Sequence, residues 1–137
     1  MLFRSQPQPH ALALPMTLEL LLVHCQGEIG KVLVAGAPDI PGATMLDKMN
    51  HINRHDDRLR RFLTGEPRAH VAMSVNLLLP PTRPDADAGF IVLQSDRAHA
   101  MSGSNCICVV TALLETGRVP IRGPVTDRKS TRLNSSH

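Results

Sequence analysis

Aromatic residues are scarce in this chain: it has no Trp, no Tyr and three Phe among 137 residues. Nucleic-acid-binding proteins use aromatic rings to stack on bases and basic patches to neutralise phosphates. The formal net charge of +3 does not indicate such a patch, because Arg4 and residues 127–132 together supply all of it. We therefore predict no nucleic-acid partner.

Cysteine is scarce as well, with Cys25, Cys106 and Cys108 the three examples. An odd number of cysteines does not indicate a disulfide framework, which fits a reducing compartment. On a helix, Cys106 and Cys108 would point roughly 200° apart, and no Cys-x-x-Cys pair exists, so we predict no metal site. The His24-Cys25 pair raises a nucleophile hypothesis, but Cys25 also fits a small buried residue at a strand end.

Long apolar runs and glycine-rich nucleotide motifs are missing too. The run from Ala11 to Val23 is interrupted by Pro15, Thr17 and Glu19, so it is too short and too polar to span a bilayer. Nothing resembles a signal peptide with a cleavage site, and no P-loop or dinucleotide fingerprint is present. We expect a cytoplasmic protein that does not associate with membranes.

The segments that remain alternate between strand and helix patterns. Thr17 to His24 and Lys31 to Ala35 predict a hairpin, with Gly27 to Gly30 as its break. One helix is predicted to begin at Thr44 and end at Gly65, since its apolar positions recur at three- and four-residue steps. Its charged residues, Asp56, Asp57, Arg58, Arg60 and Arg61, fit either an acidic and basic functional cluster or a solvated face with i,i+4 pairs, and we favour the solvated face.

Two further strands and a last helix complete the pattern. Val71 to Leu79 and Phe90 to Gln94 predict strands, and the helix begins at Gly103. Apolar residues lie on nearly every side of that helix, which predicts that other elements wrap it. The order favours an α+β domain with a sheet wrapped around a central helix.

Small polar residues open this apolar helix, which makes its start the strongest candidate site. The first backbone N–H groups of a helix lack internal partners and carry partial positive charge, so a substrate carboxylate or phosphate can dock there. Ser102 would lie at this position. Its hydroxyl fits either a catalytic acid or base or a simple N-cap, since Ser is among the commonest N-caps.

Both ends of the chain resemble translated sequencing-adapter DNA. A DNA sequence that can encode Leu2-Phe3-Arg4-Ser5 can, on its other strand, encode Asp127-Arg128-Lys129. We therefore expect residues 1–5 and 127–137 to be tails that contribute nothing to the fold.

From residue 27 to about residue 119 the chain resembles the proline racemase family. Four stretches carry this resemblance: GAPDIPGATM at 36–45, DDRLRRFLTGEPRAH at 56–70, LLLPPTRPDADAGF at 77–90 and MSGSNCICVVTALLETG at 101–117. Their order and spacing make the match specific. The resemblance implies a two-lobed enzyme similar to diaminopimelate epimerase, and residues 6–126 would be its N-terminal lobe.

The resemblance also implies a reaction. Family members invert the α-carbon of proline or hydroxyproline without a cofactor, using one residue at the start of the central helix of each lobe. One residue removes the α-proton while the other donates a proton to the opposite face. By this pattern the whole enzyme would be a homodimer, and this chain would lack the C-terminal lobe. We expect the isolated chain to be inactive.

By the same resemblance Ser102 is the catalytic residue of this lobe, and Gly103, Ser104, Asn105 and His24 bind the substrate. The family usually places Cys-Gly-His where this chain has Ser102-Gly103-Ser104. Because a hydroxyl ionises less readily than a thiol, Ser102 is a better proton donor than acceptor. Two alternatives remain: a trans-3-hydroxy-L-proline dehydratase, and a non-catalytic lobe that binds a small carboxylate.

Overall fold

A five-stranded sheet organises the chain, and a computed structural model describes residues 17–120 of it. The strands are β1 (Glu19–Cys25), β2 (Glu28–Ala35), β3 (Ser74–Leu79), β4 (Gly89–Leu93) and β5 (Ala98–His99), in that order across the sheet. The helices are α1 (Met45–Arg54), α2 (Arg58–Thr64) and α3 (Gly103–Glu115). The predicted α+β class is confirmed. The predicted tails lie outside the described residues.

The predicted hairpin is confirmed, with a tighter turn than the sequence indicates. Cys25 pairs with Glu28, so only Gln26 and Gly27 form the turn, and both have positive φ angles of 50° and 89°. Two positive φ angles give a turn whose twist matches that of the flanking strands. Strand β2 therefore begins at Glu28, and Gly30 lies inside it instead of in the predicted break.

The crossover between the parallel strands β2 and β3 contains two helices, so the single predicted helix was wrong. Thr44, where the helix is predicted to begin, caps α1 in a capping box with Asp47. The chain then leaves the helix at His55, and the Asp56 carboxylate accepts a hydrogen bond from the Arg58 N–H at the start of α2, at 3.2 Å. Such side-chain bonds compete with helix continuation.

The two faces of the sheet are covered by different helices. One, the α1–α2 face, packs Leu33, Val75, Leu77, Ile91 and Leu93 against apolar residues of α1 and α2. The other, the α3 face, packs Val32, Val34, Phe90 and Val92 against Val109, Ala112 and Leu113 of α3. Alternation along each strand produces this division, because successive side chains point to opposite faces.

Within residues 17–120, α3 is covered on one side only. Its residues contact β1, β2 and β3, whereas Ile107 is 55% exposed on the far side. The described residues therefore do not confirm the prediction of a sheet wrapped around this helix. None of the helices in this range is long and apolar enough to cross a membrane.

Candidate active site at the start of the last helix

Ser102 is the residue that precedes α3, as the sequence predicts. Its backbone is extended, with φ −154° and ψ 131°, and its carbonyl accepts the Cys106 N–H at 2.9 Å. Its side chain makes no capping hydrogen bond to the helix backbone. The half-buried hydroxyl of Ser102 is therefore not used as an ordinary N-cap, which leaves it available for other contacts.

The first turn of α3 presents backbone donors next to this hydroxyl. The N–H groups of Gly103, Ser104 and Asn105 have no acceptor within the helix, because α-helical bonding begins with the Cys106 N–H. A Cβ atom built on Gly103 meets nothing within 4 Å, so the space beside this residue is open. An anion can approach the helix start here.

The Asn105 side chain turns inward from the helix start and contacts Ser102. Its Nδ2 donates to Ser102 Oγ at 3.0 Å, and its Oδ1 accepts from Asn76 Nδ2 at 2.8 Å. The residue is buried, with 7% of its surface exposed. The backbone N–H of Asn105 thus has no acceptor within the helix, while its amide side chain is committed to Ser102 and Asn76.

Asn76 is a fully buried polar residue that the sequence pattern does not single out. It lies in β3 on the α3 face, and its Nδ2 also donates to the Lys31 carbonyl of β2 at 3.3 Å. Its Oδ1 has no hydrogen-bond partner among the described residues. One signal was available, because Asn76 interrupts an otherwise apolar run from Val75 to Leu79.

Gly30 makes room for this pair of asparagines. A Cβ atom there would lie 3.0 Å from Cys108 Sγ, 3.1 Å from Asn105 Oδ1 and 3.3 Å from Asn76 Nδ2. These distances are shorter than ordinary van der Waals contacts, so a larger residue would displace the asparagines. A glycine inside a strand often marks such a close approach.

Ser104 and His24 are placed differently. Ser104 Oγ lies 3.4 Å from Ser102 Oγ, where either hydroxyl can donate. His24 is exposed in β1 at the same end of the sheet, since the neighbouring Val23 pairs with Gly30. Val23 packs on the α3 face, so the His24 side chain points to the opposite face. The structure brings Ser104 to Ser102 but does not bring His24 into contact with it.

The cysteines are packing residues of the α3 face. Cys106 and Cys108 are buried, and burial raises the pKa of both thiols. For Cys108 the nearby Cys25 raises the pKa further, against an opposing hydrogen bond from the Gly30 backbone. A raised pKa disfavours the thiolate, which is the form that attacks substrates or binds metals. Over residues 17–120, no three His, Cys, Asp or Glu residues form a metal-binding group.

Solved structures of related proteins have a similar fold over about a third of their length. The hydroxyproline epimerase of Agrobacterium vitis, solved with bound trans-4-hydroxy-L-proline, matches 78% of this chain at 53% identity with a TM-score of 0.75. A probable proline racemase from Agrobacterium radiobacter K84, solved with bound carbonate, matches 79% at 55% identity, also with a TM-score of 0.75.

Sequence comparisons agree with these structural matches. The 4-hydroxyproline 2-epimerase of Agrobacterium fabrum is 55% identical over 112 residues, which cover 80% of this chain and 32% of the relative. The chain thus spans about a third of the length of the curated relatives it matches. The family profile described as proline racemase matches residues 20–133, most of the chain. The chain therefore belongs to the proline racemase family.

Proposed function

We propose that this chain forms one side of the active site of a 4-hydroxyproline 2-epimerase and that Ser102 is the acid/base residue on that side. One observation carries the proposal: Ser102 Oγ accepts a hydrogen bond from Asn105 Nδ2 at 3.0 Å instead of capping its own helix. The names of the similar proteins, and the hydroxyproline bound to one of them, support this choice of substrate.

Inversion of the α-carbon needs two groups on opposite faces of the substrate. One group accepts the α-proton, and the electron pair of the broken C–H bond stays on the α-carbon. The other group delivers a different proton to the opposite face of that carbon. In this proposal Ser102 supplies one face. The other group comes from a second lobe, in the two thirds of the relatives' length that this chain does not span.

The start of α3 binds the substrate carboxylate in this proposal. When the α-proton leaves, negative charge spreads from the α-carbon into the carboxylate. Backbone N–H groups of Gly103, Ser104 and Asn105, fixed in direction by the helix, stabilise that charge as it grows. The open space beside Gly103 admits the carboxylate. No cofactor takes part, because the carboxylate and the helix start accommodate the charge.

Ser102 is suited to the donating step. When its hydroxyl gives a proton to the α-carbon, the oxygen becomes an alkoxide. The Asn105 amide already donates to this oxygen, and the Ser104 hydroxyl lies 3.4 Å from it, so both can stabilise the new charge. In the reverse direction the same alkoxide takes the α-proton back. Positioned proton transfer of this kind typically accelerates a reaction by about 10²–10⁴-fold.

Two predicted features complete the proposal. His24 contacts the substrate from the end of the sheet at which Ser102 lies. The whole enzyme is a homodimer. The 137-residue chain alone turns over no substrate, because it supplies only one of the two proton-transfer groups.

A chimera tests the proposal. The 112 matched residues of the Agrobacterium fabrum epimerase are replaced by those of this chain, with the unmodified relative as control. Proton NMR in deuterated water then follows the α-proton of trans-4-hydroxy-L-proline. We expect the C2 epimer to form with deuterium at the α-carbon.

The other outcomes distinguish the alternatives. A folded chimera that dehydrates trans-3-hydroxy-L-proline, without inverting the 4-hydroxy isomer, would indicate a dehydratase and not an epimerase. Binding of hydroxyproline without exchange of its α-proton would leave a lobe that only binds a small carboxylate. Either result would refute the proposed function.

A further inference from the structure

The hydrogen bonds around Ser102 have a defined direction. A backbone carbonyl can only accept, so the atom of Asn76 that faces the Lys31 carbonyl must be the donor Nδ2. The same Nδ2 faces Asn105, so the facing atom of Asn105 must be the acceptor Oδ1. The amide nitrogen of Asn105 is then left to face Ser102 Oγ, at 3.0 Å.

This direction determines what the Ser102 hydroxyl can do. Because its oxygen accepts from Asn105, its own proton is left for another acceptor. If Asn105 were flipped, its acceptor oxygen would face Ser102 and draw that proton inward. The flipped Asn105 would also place its amide nitrogen against the amide nitrogen of Asn76. Turning Asn76 as well would relieve this contact but would place its oxygen against the Lys31 carbonyl oxygen. The backbone of β2 therefore opposes reversal of the whole chain of hydrogen bonds.

The surroundings hold the two asparagines in place. Asn76 is fully buried within β3, and Asn105 is 7% exposed. Gly30 brings the β2 backbone against both amides, so little space is left for another rotamer. The Oδ1 of Asn76, which has no partner among the described residues, adds a cost to folding, because a buried acceptor without a donor destabilises the folded state. An apolar residue would avoid that cost.

We propose that Asn76 and Asn105 are positioning residues that form a hydrogen-bond relay from the Lys31 carbonyl to Ser102. The Lys31 carbonyl fixes the orientation of the Asn76 amide, and Asn76 fixes that of Asn105. Asn105 then holds the Ser102 oxygen as an acceptor and leaves its proton free for the substrate. This inference rests on the proposed function, in which Ser102 delivers a proton. Asn105 stabilises the oxygen after the proton leaves, and Asn76 keeps Asn105 in the orientation that permits it.

The test uses the 137-residue chain and needs no substrate. Ser102→Cys places a thiol at the relay's end, where a donated hydrogen bond favours the thiolate. Alkylation by iodoacetamide reports that thiolate, and fragment ions in mass spectrometry separate position 102 from Cys106 and Cys108. We expect Asn105→Ala or Asn76→Ala to slow alkylation at position 102 about tenfold near neutral pH and to move its pH profile to higher pH.

Two further variants separate this role from a structural one. Asn53→Ala is the matched control, because Asn53 also makes two hydrogen bonds, to the Ala98 backbone at 2.7 and 3.0 Å, away from Ser102. It should leave alkylation unchanged. Asn105→Asp keeps the shape of the side chain but replaces the donor with a negative charge, so it should slow alkylation more than Asn105→Ala does.

Equal alkylation rates with and without the Asn105 amide would overturn the relay, and so would an Asn105→Asp variant that reacts as fast as its parent. Where a variant does not fold in the short chain, the chimera provides a second measurement. There Asn105→Ala should lower kcat/KM for hydroxyproline about tenfold with Ser102 and by less with Ser102→Cys, whose thiolate needs less support. A chimera without exchange would refute the epimerase proposal, while the alkylation rates would still decide the relay.

Discussion

The two faces of the sheet both bury polar side chains, but they use them differently. On the α1–α2 face, Arg60 donates to the Gln94 carbonyl and to Asp57, and Thr64 donates to the Arg60 carbonyl. The bond to Gln94 joins α2 to the loop after β4, and the other two lie within α2 or at its start, so none of them leads to an accessible hydroxyl. On the α3 face, the hydrogen bonds pass from Asn76 through Asn105 to the hydroxyl of Ser102. That hydroxyl is half-buried at the helix start.

This difference shows why burial of a polar residue does not by itself mark a functional site. A buried side chain whose hydrogen bonds end on backbone carbonyls and an ion-pair partner stabilises the fold, as Arg60 does. A buried side chain whose hydrogen bonds lead to an accessible hydroxyl can also control that hydroxyl. Substitutions on the first face should therefore change stability alone, whereas substitutions on the second should change the chemistry at position 102.

The largest change in stability is expected in the core of the α1–α2 face. Leu77 is fully buried there, so Leu77→Ala should lower the free energy of unfolding by about 3 kcal/mol through lost contacts and a cavity. Chemical denaturation measures this change, and Leu22→Ala is the control because Leu22 is 69% exposed. In the Ser102→Cys background, Leu77→Ala should leave the rate of alkylation at position 102 of the folded protein unchanged. A lower rate there would show that the two faces are coupled.

Arg60→Ala should cause the next largest loss in the free energy of unfolding. Its side chain is 9% exposed, and Arg60→Ala leaves the Gln94 and Ser95 carbonyls without their donor, so we expect a loss of about 2 kcal/mol. Arg61→Ala is a matched control, because Arg61 is 52% exposed and its pair with Asp57 spans 3.6 Å. Equal losses in the two variants would show that burial of Arg60 does not matter.

Gly30→Ala tests the α3 face with a single methyl group. The added carbon must displace Cys108, Asn105 or Asn76, so we expect a loss of about 1 kcal/mol in stability. In the Ser102→Cys background it should also slow alkylation at position 102. Combining it with Asn105→Ala should give less than the sum of the two effects, because one crowded contact is gone. Additive effects would mean that the methyl group added at position 30 does not displace Asn105.

The smallest effect is expected at the break between α1 and α2. The Arg58 side chain lowers the pKa of Asp56 from 3.8 to about 2. The ion pair therefore stabilises the fold above about pH 4, and this contribution is lost as the pH falls through 2. Both side chains are more than a third exposed, so Asp56→Asn should cost less than about 1 kcal/mol near neutrality. A difference that grows on acidification would contradict this assignment.

Much of the fold could be predicted from the sequence, because local signals determine it. Strands β1 to β4 follow apolar runs, whereas the two-residue β5 was not predicted, and Thr44 with Asp47 marks the start of α1. The break at His55 was missed, since the periodicity of apolar residues continues through it. Arg60 was expected in solvent for the same reason. Its burial depends on carbonyls of the loop after β4, which local sequence does not reveal.

The candidate site was predicted in part. Ser102 and the first turn of α3 lie where the small polar residues predict them. Asn76 was missed, because its role depends on an amide 29 residues further along the chain. Gly30 was assigned to a turn, whereas it lies within β2 against that amide. Contacts between distant segments create both roles, so no local pattern records them.

Loss of epimerisation on removal of the Ser102 hydroxyl is the most direct test of the central claim. In the chimera, formation of the C2 epimer from trans-4-hydroxy-L-proline is compared between Ser102→Ala and its parent, with Thr111→Ala as control because the Thr111 hydroxyl donates to the Ile107 carbonyl of its own helix. We expect Ser102→Ala to lower the rate about 10²–10⁴-fold and Thr111→Ala to leave it unchanged. Epimer formation by Ser102→Ala at the parent's rate would show that Ser102 transfers no proton.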